Sequence, residues 1–251
     1  MTTAFAVIQM MLTAVRRMIW SRQTMVSLLL LTLVSLGCIA WSLRGERDPA
    51  DFLRQILLPM YVAFLLPMSC LSFATVGIAG DREEGTLVYL LSTPLPRPLI
   101  YTAKFAAALL LALVWSLGGL WVLGVAAGPA GREAVAIAWP AALLATLAYV
   151  GLFQWFGALF RRATIMALAY ALFLEVFLGN MPGIIKRVAI TFYTQCILFE
   201  AAAPLGVAPS GPHSATIFQP ISGSTAQMIL IVLSVGFFVL GAVVFSRREY
   251  P

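Results

Sequence analysis

Six apolar runs divide the chain, at about Thr24–Trp41, Ile56–Ile78, Ala103–Ala127, Ala136–Phe160, Ala163–Leu178 and Ala226–Phe245. This pattern constrains the fold more than any other feature. A helix of about 20 apolar residues crosses the roughly 30 Å hydrocarbon layer of a bilayer. Inside that layer every backbone polar group needs an internal partner, which leaves helices and closed barrels. The runs are continuous rather than alternating, so they read as helices. Composition agrees: 61% of the 251 residues are apolar and 10% charged, against about 45–50% and about 25% in soluble domains. The expected fold is an all-α, polytopic helical membrane protein with six transmembrane helices, one domain over residues 1–251. No stretch is long and polar enough for a separate soluble domain.

Ahead of the first run, Phe5, Ile8, Leu12, Val15 and Ile19 recur at threes and fours, while Gln9, Thr13, Arg16 and Arg17 fall largely elsewhere. That periodicity predicts an interfacial helix within residues 1–22, its arginines toward anionic headgroups. The alternative is an extension of the first span. Trp20 and Trp41 bracket that span, as aromatic belts do, and no short apolar core with a cleavage site precedes it. With the N-terminus inside, the inner loops hold Arg16, Arg17, Arg22, Arg82, Arg97, Lys104, Arg161, Arg162, Arg247 and Arg248. The outer loops hold the smaller set, Arg44, Arg47, Arg54, Arg132, Lys186 and Arg187. Both termini are therefore expected in the cytoplasm. The net charge of +6 is a matter of topology, and nucleic acid is not an expected partner; membrane lipids are.

Asn180, Pro182 and Gly183 end the fifth run. An amphipathic stretch of about helix length, Ile184–Glu200, and a loop with Pro204, Pro209, Pro212 and Pro220 follow. Residues 181–224 read as an outer re-entrant or capping segment. Glu175 lies inside the fifth run, and an intramembrane carboxylate is a functional candidate by default. Snorkelling, or pairing with Lys186 or Arg187, is the simpler account. Gln154 in the fourth run is a second pathway candidate, with an interhelical hydrogen bond as the simpler account. Met60, Met68 and Cys70 read as packing, and His213 stands alone, so no metal site is expected. No catalytic constellation is present, and Cys38, Cys70 and Cys196 form no disulfide framework.

The stretch between the second and third runs carries the most information. It reads Gly80-Asp81-Arg82-Glu83-Glu84-Gly85-Thr86-Leu87, then Leu90-Leu91, Ser92-Thr93-Pro94-Leu95, Arg97 and Lys104. Asp81 followed by Glu84 resembles a capping box, and Leu87, Leu90 and Leu91 give a short apolar face. A short amphipathic helix within residues 80–97 is expected. This pattern resembles the signature of type 2 ABC-transporter permeases, although Ala103 stands where that family often has Gly. The six-run layout and the interrupted region before the last run extend the resemblance along the chain.

The resemblance implies a permease subunit in the plasma (inner) membrane, an exporter by preference. In that family the cytoplasmic helix between spans two and three couples to a separate ATPase. Asp81, Arg82, Glu83, Glu84, Gly85, Thr86 and Leu87 would then contact a cytoplasmic P-loop ATPase. A second copy or a homologous permease would complete the transporter. A P-loop needs a Gly-rich run ending in Lys, and neither Lys104 nor Lys186 follows one. ATP and magnesium are thus expected on the partner, with no cofactor on this chain and no enzymatic activity of its own. A multi-pass scaffold or a secondary transporter without an ATPase is the alternative.

Overall fold

The computed structural model describes residues 3–43, 48–83, 85–86, 95–177, 185–207 and 218–248. Regular structure among them is helical throughout. In chain order, α1 is Thr3–Ile19, α2 Arg22–Ser42, α3 Pro49–Gly80, α4 Arg97–Ala126 and α5 Pro129–Leu159. Helix α6 begins at Ala163–Ala169 and continues with wider π geometry over Tyr170–Phe177; α7 is Ile190–Ala201 and α8 is Gly223–Arg247.

Helices α2, α3, α4, α5 and α8 are long and apolar enough to cross a membrane, so the chain is an integral membrane protein. The sixth span expected at Ala163–Leu178 is described only as far as Phe177, as the short helix α6. Five such helices are present among the described residues.

Helix α1 is separate from α2. The Ser21 backbone leaves the helical region, and its hydroxyl accepts from the Thr24 amide, capping α2. Ala14 and Met18 pack on the bundle, whereas Phe5, Ile8, Leu12 and Ile19 stay exposed. Two stripes of one helix thus meet two different surroundings.

Helix α3 is the central rod. Its apolar window is 72% buried, against 22% in α2 and 17% in α8, so those two helices form the flanks. Pro59 has no amide to donate, and it sits inside the π-helical stretch Leu53–Leu65. Cross-helix hydroxyl bonds tie the interior: Tyr61 donates to the Ser116 carbonyl at 2.9 Å, and Ser116 and Thr146 share a bond of 2.9 Å. Helices α4 and α5 form a close hairpin. A Cβ added at Gly131 would lie 2.5 Å from the Gly124 carbonyl oxygen, so only glycine permits this approach.

Two local expectations are corrected. Within the stretch Ile184–Glu200, the helix α7 is not amphipathic: it is buried at every position from Ile190 to Phe199, packed by α5 and α8. At 12 residues it is about 18 Å long, too short to span. Asp81 does not start a helix either. It is in helical geometry at the end of the α3 rod, which runs on through Asp81–Glu83.

Candidate functional site

The site expectation falls where the α3 rod stops. The Gly85 amide donates to the Arg82 carbonyl at 3.1 Å, and the Thr86 amide to the Asp81 carbonyl at 2.9 Å. Gly85 has φ +70°. These paired bonds, closed by a left-handed glycine, are a Schellman helix end. The Asp81–Glu84 spacing had suggested a capping box; Gly85 is the stop signal that overrides it. Gly85 and Thr86 are exposed. Glu84 and Leu87, the side chain of Glu83, and the Leu90–Leu91 face lie outside the described residues.

Asp81 and Arg82 turn inward. Asp81 is 4% exposed. One carboxylate oxygen is 2.5 Å from Arg17 on α1, and the other 2.6 Å from Lys104 on α4. Arg82 donates to the carbonyls of Gly157 at 2.8 Å and Phe160 at 2.9 Å, at the end of α5. The turn Gly85–Thr86 is thereby rooted on three neighbouring helices. Two more arginines act similarly at this end. Arg97 donates to the carbonyls of Ser246 and Arg248 at the end of α8, and Arg248 to those of Ala158 and Leu159. Helix C-termini carry orphan carbonyls and partial negative charge, which cations satisfy.

Away from this end, at mid-bundle beside Tyr149 and at the far end of α8, the reverse chemistry is used. Glu175 is 2% exposed and accepts from the amides of Ile190 and Thr191, each at 3.0 Å, and from the Tyr170 hydroxyl at 3.0 Å. It caps the N-terminus of α7; it neither snorkels nor pairs with Lys186 or Arg187. The Lys186 ammonium instead lies 4.8 Å from the centre of the Phe218 ring and 5.6 Å from that of Phe192. Burial pushes its pKa below the usual lysine value. Glu200, passed over in the sequence, accepts from the Gly223 amide and caps α8. A carboxylate at a helix N-terminus is the favourable sign.

Gln154 lies between these ends. It is fully buried on α5, and its amide would lie 3.3 Å from a Cβ at Gly77 of α3. The expected interhelical hydrogen bond is absent: neither its oxygen nor its nitrogen has a partner. Gln154 and Glu175 are thus both buried, one unpaired and one saturated. Among the described residues no group of three or more His, Cys, Asp or Glu side chains could hold a metal ion, and His213 is outside them.

The sequence missed the three-way joint of Arg17, Asp81 and Lys104. Part of its signal was available: Asp81 and Lys104 carry opposite charges at the adjoining ends of consecutive apolar runs, and Arg17 lies in the last turn of the helix ahead of the first run. Residues 2–250 match the family model described as "ABC-2 family transporter protein". No curated protein matches the chain.

Proposed function

The chain belongs to the ABC-2 transporter family, and from this premise we propose that its Asp81 end is the cytoplasmic face on which a separate ATPase docks. As a family member it is a transmembrane permease component. The observation that carries the docking reading is the rooted turn. Gly85 and Thr86 are exposed, while Asp81 and Arg82, one helical turn earlier, hold α1, α4 and α5. Force applied at such a turn reaches three helices through charged joints rather than dissipating in a loose loop.

In this reading Glu83, Glu84, Gly85, Thr86 and Leu87 meet the ATPase, and Asp81 and Arg82 anchor the turn. ATP and magnesium belong to the partner chain. Both termini are cytoplasmic, in keeping with the arginines gathered at the Asp81 end. A second copy or a homologous permease completes the pathway; the exposed apolar faces of α2 and α8 are the surfaces available for it. Export is the proposed direction.

Co-expression with a candidate P-loop ATPase, purifying by a tag on this chain, tests the reading. The ATPase is expected to co-purify with wild type and with Gly85→Asn, since Asn tolerates the left-handed turn. Glu84→Arg and Thr86→Arg should lose it while the membrane protein stays monodisperse. Equal recovery with every variant would refute the contact residues. No recovery from a well-folded wild type would return the chain to the scaffold or secondary-transporter reading.

A further inference from the structure

Helix α1 carries a surface the docking reading does not use. Gln9, Thr13, Arg16, Arg17 and Trp20 are spaced by threes and fours, so they form one polar stripe. It lies between the stripe packed on the bundle (Ala14, Met18) and the exposed apolar stripe of Phe5, Ile8, Leu12 and Ile19. Within it Thr13, Arg16, Arg17 and Trp20 line a shallow depression open to the surroundings.

The chemistry of this depression is specific. Arg16 is exposed and has no acidic partner among the described residues. Guanidinium groups match the oxygens of a phosphodiester bidentately. Trp20 is 77% exposed, and an indole so placed sits at headgroup level. Arg16 borders the apolar stripe through Leu12 and Ile19, one turn away on either side. A phosphate at Arg16 would therefore have acyl chains lying along that stripe. The Thr13 hydroxyl is already spent on the carbonyls of Gln9 and Met10, so the arginines supply the selectivity.

We propose that Thr13, Arg16, Arg17 and Trp20 form a headgroup site for an anionic phospholipid. Arg17 also holds Asp81 at 2.5 Å. The headgroup thus sits one side chain from the root of the Gly85 turn, and the anionic lipid content of the leaflet bears on how firmly that root is held. The binding site stands whether or not an ATPase docks there; only this last consequence rests on the function proposed above.

Fluorescence quenching by brominated lipid tests the site. The full chain would be reconstituted with brominated phosphatidylglycerol or brominated phosphatidylcholine at matched mole fractions. The Trp20 component is the difference between wild type and Trp20→Phe. The expected result is stronger quenching by the phosphatidylglycerol, its preference falling about fivefold in Arg16→Gln, the value of one basic residue near an anionic surface. High salt should weaken the preference. Arg16 is exposed and unpaired, so Arg16→Gln keeps the fold, which its melting temperature checks. Equal quenching by the two lipids, or a preference unchanged in Arg16→Gln, would overturn the proposal. Loss of the preference with inorganic phosphate, but not with sodium chloride at the same ionic strength, would also overturn it, by revealing a site for free anions.

Discussion

The two ends of the helix bundle terminate their helices with opposite charges. At the Asp81 end, arginines 82, 97 and 248 close the carbonyl ends of α5 and α8. Glu175, deep in the bundle, closes the amide end of α7, and at the far end Glu200 closes that of α8. Both arrangements follow from the helix dipole. They differ in what is left over. Glu175 is enclosed and its bonds are used within the protein. The Asp81 end leaves a turn exposed beside its buried joint. An internal lock and a rooted surface are different devices, and only the second offers a partner something to grip.

Removing the lock should cost the most. Glu175→Ala leaves two buried amides and a hydroxyl without an acceptor, for an expected loss of about 3 kcal/mol. Unfolding in mixed micelles measures it; a loss under about 1 kcal/mol would mean water replaces the carboxylate and the end is not closed.

Asp81→Asn should cost less, about 2 kcal/mol, because Arg17 is partly exposed and screened although Lys104 is not. The same titration measures it. Restoring stability by Lys104→Met in the Asp81→Asn background would identify the stranded ammonium as the cause; no restoration would place the loss elsewhere.

The smallest effect lies between the ends. Gln154→Met removes an amide with no partner and keeps its bulk. It should raise stability by about 1 kcal/mol. A loss in this variant would show that Gln154 makes a bond the resting arrangement does not display.

Much of the architecture was legible because membrane insertion writes itself into sequence as long apolar runs. All five spanning helices fall on predicted runs, and α1 on its predicted periodicity. The rest failed where one local signal stood for a longer-range one. Asp81 and Glu84 have capping-box spacing, but the helix was already running and Gly85 stopped it. Ile184–Glu200 looked amphipathic because Tyr193, Thr194 and Gln195 are polar; Thr191 and Thr194 spend their hydroxyls internally, one on Tyr149 and one on the Ile190 carbonyl. Glu175 was recognisable as unusual, yet its partners are backbone amides 15 and 16 residues away, which no side-chain pattern announces.

The account depends most on which compartment the Gly85 turn faces. Cys38, Cys70 and Cys196 are all buried, so an added cysteine can be read with little background. Thr86→Cys and Ala203→Cys, both at exposed positions of opposite ends, would be treated with a membrane-impermeant maleimide in intact cells and in inverted vesicles. The account predicts that Ala203→Cys labels in intact cells, and Thr86→Cys only in inverted vesicles. Labelling of Thr86→Cys in intact cells, with Ala203→Cys protected, would put the turn on the side without ATP and contradict its role as the docking face.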